Sequence, residues 1–514
     1  MNFRDYLATG FLPLILFFGA RLLKRWKAVA RLPFPPGPKP RFIIGNLYDI
    51  PAELPWLTYA DWGKQYGDVV HASVFGEHIL VLNSARAASE LLEKRAGIYS
   101  DRPTIPMVSI TGWDFNLTFM PHTDKWRQYR RLFHQHFRRD AVASYRPIQM
   151  KKVHDLLRGL LPSGTPEDFF AHTKTVAAAI VMATIYGYDI KPTHDKFVDL
   201  SEEAVKRVCE SVFPGAFLVN SLPFLRYLPS WFPGCSFQRY GQETKELLAE
   251  MRNVPFEFVR KNMRDGIGGF SVLGRLLEKN DAEGGSEAQE RVIKEVTATA
   301  YAAAADTTAS ALVSFFLAMA LNPEAQRKAQ NEIDAVVGPG RLPIFEDRRS
   351  LPYVDAVFRE VMRWRPVVPL GVAHATSEDD VYKGYFIPKG TMVLSNIWAM
   401  VHDETVYPNP DKFEPERFLK ADGQLNADDN VLAFGFGRRT CVGRHAADAS
   451  VWATIVSVLS VYDISKAKDA AGNEIEINPV YSDGLVSHPH PFKCSITPRS
   501  DVARRLIEDT SLDA

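Results

Sequence analysis

The stretch SEAQERVIKEVTATAYAAAADTTASALVSFFLAMALNPEA runs from about residue 286 to Asn322-Pro323 with no helix breaker inside it. Proline cannot continue a helix, so Pro323 ends this one. More than thirty residues at about 1.5 Å each would cross a whole domain. The rest of the chain must therefore fold around this element. Its middle is alanine-rich and then abruptly polar at Asp306, Thr307 and Thr308.

The surrounding sequence is mostly helical in pattern from about 85 to 335, in strings such as TDKWRQYRRLFHQHF and EDFFAHTKTVAAAIVMATIYG. Two regions break the pattern. DVVHASVFGEHILVLNS (68–84) alternates with Gly76 at its turn and reads as a β-hairpin, and DVYKGYFIPKGTMVLSN gives short strands around Gly384 and Gly390. No internal repeat interrupts the 514 residues. The expected fold is mainly α with a small β component, as a single large domain. Lys plus Arg and Asp plus Glu are both 61, so nothing in the overall charge suggests nucleic acid as a partner. Four cysteines, Cys209, Cys235, Cys441 and Cys494, stand far apart with no zinc-ligand spacing. They argue against a disulfide scaffold and for a reducing compartment.

The N-terminus differs in kind. YLATGFLPLILFFGARLL (6–23) is apolar apart from Arg21, and Lys24, Arg25, Lys27 and Arg31 follow. Eighteen helical residues span about 27 Å, enough for a bilayer core. The basic flank would keep the following chain cytoplasmic. A signal peptide would carry its charges before the apolar run. Residues 1–30 are thus expected to be a membrane anchor with its basic flank. Residues 31–45, with LPFPPGPKP, are expected to be a stiff proline-rich spacer, and residues 46–514 the large, mainly helical domain.

FGFGRRTCVGR (434–444) places Cys441 among glycines and arginines, just before a helical pattern. Free N–H groups at a helix start stabilise a thiolate. Glycines let backbone approach a flat ligand, and a thiolate suits a metal that needs one soft axial ligand. A buried structural cysteine is the alternative for such a residue taken alone. The whole string, Phe434, Gly437, Arg439, Cys441 and Gly443 in order, resembles the haem-ligand loop of the cytochrome P-450 monooxygenases. By that resemblance Cys441 is the axial thiolate of a b-type haem, Phe434 packs beside it, and Arg439 meets a haem propionate.

Other strings agree with the same family. REVMRWRP carries Glu360 and Arg363, three apart on one helix face, and FEPERF carries Arg417. The resemblance joins these three in a buried network supporting the haem loop, where a residue pair alone would suggest a solvated ion pair. AAADTT matches the family's oxygen-side helix at Asp306 and Thr307, with Ala304 where glycine is usual. An acid and an alcohol there can relay protons. The Thr307 hydroxyl can also bond the carbonyl of Ala303, opening the helix. Trp126 and Arg130 in KWRQYR, and His374 in GVAHAT, stand where the family contacts propionates. His134 and His136 carry no assignment.

The resemblance is to membrane-anchored enzymes of fungal secondary metabolism, held in the endoplasmic reticulum membrane with the catalytic domain in the cytoplasm. It implies insertion of one oxygen atom from O2 into a lipophilic small molecule (a terpenoid, polyketide, alkaloid or aromatic compound). No flavin or nicotinamide motif appears, so electrons would come from an NADPH-dependent reductase, with cytochrome b5 as a second donor. Lys125, Arg127, Arg131, Arg138, Arg139 and Arg438 offer a docking face, or simply a solvated one. Family topology puts Ile110, Trp113, Phe115 and Leu117 over the substrate, with Leu370 and Leu485 at its walls. The stretch 214–234 is apolar and proline-broken, and either meets the membrane or packs into the core. The rival readings are a haem-thiolate isomerase or dehydratase that does not use O2, and a non-enzymatic haem sensor or lipophile carrier.

Overall fold

The computed structural model describes residues 32–161, 167–191, 195–212, 216–267, 269–429 and 431–511. The proposed anchor lies outside them. Helices dominate, with eight short strands among the described residues.

The long helix Glu287–Leu321 is the axis of the molecule. Ser286 caps its start by accepting the N–H of Gln289, and Asn322-Pro323 ends it. It is buried over Val292–Ala302, apart from half-buried Lys294, and again over Thr308–Ala320. That fits a helix with apolar residues all round. Helices Phe169–Tyr186 and Arg444–Val461 pack against it and are themselves mostly buried, with Trp452 sealed completely. The first of these and the long helix are apolar enough to cross a membrane, but two-thirds of each apolar window lies inside the fold. They are core helices.

Strands β1 (Val69–Val74) and β2 (Glu77–Leu82) form the hairpin that the alternation predicts. Phe75 and Gly76 both take left-handed backbone, φ 49° and 87°, the turn whose twist matches that of paired strands. β3 (His374–Ala375) and β6 (Met392–Ser395) complete a sheet of order β1-β2-β6-β3, with β2 and β6 parallel. β4 (Asp380–Tyr382) pairs with β5 (Tyr385–Ile387), and β7 (Tyr462–Lys466) with β8 (Cys494–Pro498).

The proline segment is docked on the domain from Pro33 onward, not held free as a strut. Prolines lack an N–H but keep their carbonyls, and these accept from the sheet: Pro33 from the Phe386 N–H at 2.9 Å and Pro36 from the His71 N–H at 3.0 Å. Phe34 stacks on His71 with ring centroids 4.7 Å apart. The 214–234 stretch faces outward over its described part. Tyr227 and Trp231 are 82% and 80% exposed, while Val219 and Cys235 are buried and hold the segment down.

Candidate haem-thiolate site

The cysteine loop is closed by one backbone bond, Cys441 N–H to the Phe434 carbonyl at 2.8 Å. Gly435 and Gly437 take φ 77° and 55°. At Gly437 a Cβ would lie 2.2 Å from the Leu92 carbonyl oxygen, so the loop can press on the Ser89–Glu93 turn only as glycine. Gly443 is the N-cap of the following helix. Cys441 is accessible by surface area although it lies deep in the fold. Burial pushes its thiol pKa up. The N–H groups of Gly443 and Arg444 and the charges of Arg130 and Arg444 pull the other way. Such a sulfur is set to lose its proton when a cation binds.

Helix Asp124–Phe137 runs beside the loop, its first turn capped by Thr123. Arg130 donates from Nη2 to the Thr440 carbonyl at 2.6 Å. Arg439 lies over the Trp126 ring, 4.4 Å from its centroid. Its own donors go to the carbonyls of Ser100 and Met120, both at 2.8 Å. The Trp126 indole N–H is buried and has no partner among the described residues. His374 is buried and gives its Nδ1–H to the Tyr99 carbonyl at 2.8 Å. It can therefore donate from Nε2 only as an imidazolium.

A third arginine, Arg102, belongs to this group although it stands in no motif. It is 9% exposed and donates to the carbonyls of Thr118, Val372 and Ala373. Burial lowers all four bases, Arg102 well below its ordinary value, Arg439 to about 10 and His374 to about 3, with repulsion among the group adding to these three and Arg444 adding to Arg130. Asp101 is the carboxylate that opposes this for Arg102 and Arg439. A buried cationic cluster with an orphaned indole donor, close to an accessible thiol, fits a flat dianionic ligand with a soft-metal centre. Haem is such a ligand.

Glu360, Arg363 and Arg417 meet in the interior. Arg363 forks onto Glu360 at 2.6 and 2.9 Å, and Arg417 Nε reaches the same carboxylate at 3.1 Å. Glu360 and Arg363 have no exposed surface. Arg363 also donates to the Val401 and Pro410 carbonyls.

Between Glu295 and Ala320 of the long helix, burial lapses only from Ala303 to Thr307, with Ala303 exposed and the next four half-buried. The Thr307 hydroxyl donates to the Ala303 carbonyl at 2.9 Å. Asp306 meets His488, from a distant hairpin, at 3.2 Å.

The main cavity is apolar and about 90 Å³. Leu370 and Leu485 line it, joined by Phe119, Val212 and, from β6, Met392 and Leu394, none of which a motif marks. Ile110, Trp113, Phe115 and Leu117 are not in its wall. Trp113 stacks on Phe115 at 5.9 Å, and both are buried, as is Leu117. Ile110 packs on Gly241, where a Cβ would lie 2.3 Å from its Cγ2. Nor does the wall include Asp306, Thr307 or Cys441.

The Cytochrome P450 family model matches residues 35–496. Cytochrome P450 monooxygenase 208 of Postia placenta is 43% identical, over 94% of this chain and 94% of its own length. Cytochrome P450 monooxygenase ppsD of Aspergillus oryzae is 41% identical over 95% and 92%. Cytochrome P450 monooxygenase claR of Ampulloclitocybe clavipes is 41% identical over 93% and 89%. With a thiol, a cationic cradle and a partly exposed acid–alcohol pair all in this family's order, the chain belongs to the cytochrome P450 family and is an oxygen-incorporating monooxygenase.

Proposed function

We propose that the protein hydroxylates, or oxidises in a related way, a lipophilic small molecule of fungal secondary metabolism, at the endoplasmic reticulum membrane and with electrons from an NADPH-dependent reductase. The observation that carries the use of dioxygen is the acid–alcohol pair on the less buried turn Ala303–Thr307, with the Thr307 hydroxyl bonded back to Ala303 and Asp306 partly exposed. An isomerase acting on a pre-oxidised substrate needs neither.

In this reading Cys441 would hold the haem iron through its thiolate, and Trp126, Arg130, Arg439, Arg102 and, when protonated, His374 would pair with the haem carboxylates. Haem held there supplies the one-electron chemistry and the oxygen transfer. The protein's residues do the rest. Asp306 holds and releases a proton at its carboxylate, and Thr307 keeps its hydroxyl on the same less buried turn, bonded back to Ala303. Glu360, Arg363 and Arg417 keep the haem loop in place without touching the reaction. Phe434 packs beside the sulfur, and Gly437 and Gly443 let the loop turn.

A lipophilic substrate is supported by the apolar wall around Leu370 and Leu485. A membrane location is supported by the outward apolar side chains of Leu218, Phe224, Tyr227 and Trp231. A reductase face is supported by exposed Arg131, Arg138 and Arg438 flanking the cysteine loop. The test is turnover of candidate lipophilic compounds under isotopically labelled dioxygen with reductase and NADPH. One labelled oxygen atom in the product supports the reading. Product formed without dioxygen refutes it.

A further inference from the structure

The chain from Val480 to His490 folds back on itself as a hairpin, with His490 N–H on the Val480 carbonyl at 2.9 Å and Ser482 N–H on the His488 carbonyl at 2.8 Å. Its tip puts Gly484 and Leu485 in the cavity wall. Three side-chain contacts fasten it to the long helix, and they fall one turn apart, at Asp306, Ser310 and Ser314. The Tyr481 and Ser314 hydroxyls bond at 3.0 Å, and Ser310 Oγ donates to the Ser487 carbonyl at 2.6 Å. The third contact is the His488–Asp306 pair.

That third contact is unlike the other two. The Ser310–Ser487 bond is buried, whereas the Asp306 and His488 side chains are 36% and 32% exposed. His488 Nε2 lies 3.2 Å from one carboxylate oxygen and 3.3 Å from the other. A carboxylate accepts, so Nε2 carries the proton and straddles both oxygens. The backbone that holds the imidazole is itself fixed. The His488 N–H donates to Ser482 Oγ at 3.0 Å, and Ser487 Oγ donates to the Ser482 carbonyl at 2.8 Å. Thr307, the neighbour of Asp306, has its hydroxyl committed to Ala303. Nothing else among the described contacts orients the Asp306 carboxylate.

We propose that His488 is a positioning residue for proton delivery. Its Nε2–H fixes the rotamer of Asp306, so that the hairpin which walls the cavity also aims the acid. His488 keeps its own proton in this role. The inference rests on Asp306 acting as the relay acid.

The experiment uses the haem-loaded enzyme with reductase and NADPH, without substrate. It measures the water formed per NADPH and, separately, the infrared stretch of carbon monoxide on the reduced protein. The variants are H488L, H488Q, D306N and the D306N/H488L pair. H488L should lower the water yield about tenfold, as loss of an orienting hydrogen bond does, and shift the carbon monoxide band. H488Q keeps an N–H at the same reach and should restore most of both. The double variant should be no worse than D306N alone, because His488 acts through Asp306. H488N, whose amide is too short to reach, stands in if H488L takes up no haem. A normal water yield and band in the loss variant, beside an impaired D306N, would overturn the proposal. So would losses that multiply in the double variant. An unimpaired D306N would instead overturn the relay reading on which the proposal stands.

Discussion

Arg363 Nε lies 2.6 Å from Glu360 Oε2, with both side chains fully buried and Arg417 closing on the same carboxylate. A local helix pair has thus become the anchor of a region that includes the backbone of Val401 and Pro410. Its worth lies in what happens when it is broken. Removing one partner strands the other charge away from water.

Glu360→Ala should cost about 3–5 kcal/mol, the range for an uncompensated buried charge. Urea or thermal unfolding of the haem-loaded protein would read it. A loss below about 1 kcal/mol is what a surface pair gives, and would show that the network carries no structural role.

Two glycines of the cysteine loop provide an internal control. Gly435→Ala strains a left-handed backbone but meets nothing within 4 Å, whereas Gly437→Ala also drives a Cβ into the Leu92 carbonyl. The first should cost about 1–3 kcal/mol. The second should cost more and lower haem retention. Equal effects in thermal unfolding and haem content would contradict the packed geometry.

Thr307→Ala removes the hydroxyl bound to Ala303. Haem uptake should be unchanged while reducing equivalents go to peroxide instead of product. Peroxide per NADPH measures this. A variant that stays fully coupled would mean that protons arrive by another route.

His402 supplies a pH prediction outside the haem site. Burial foremost, then the charges of Arg363 and Arg365, lower its pKa to about 3, against the help of the Trp398 carbonyl and Asp411. The unfolded chain binds this proton at about 6.5 and the folded one does not. Its contribution to stability is therefore complete above about 6.5 and lost as pH falls toward 3. His402→Gln should remove about 1.4 kcal/mol per pH unit of acid slope within that window. Unfolding titrations at several pH values would show it, and an unchanged slope would contradict the neutral buried state.

Much of this was legible in the sequence because it is local. The long helix follows from an unbroken run ended by Pro323, the first hairpin from its alternation, and the cysteine loop from a dense string of special residues. The Thr307–Ala303 bond follows from helical spacing alone. What stayed hidden depends on chain returns that no local pattern records. Arg102 joins Arg439 across more than three hundred residues, and His488 meets Asp306 across 182. The docked proline segment was hidden for another reason. Proline's stiffness is visible in composition, but the carbonyls that Phe386 and His71 seek out are not. Met392 and Leu394 read as plain strand residues, and only the position of β6 in the sheet puts them against the cavity.

Everything in the mechanism depends on Cys441 giving its sulfur to iron. The absorption spectrum of the dithionite-reduced protein under carbon monoxide tests that directly, with Cys441→Ala as the paired control. The account predicts a strongly red-shifted Soret band in the native protein and its loss in the variant. A histidine-like band, or the same spectrum from both proteins, would contradict it.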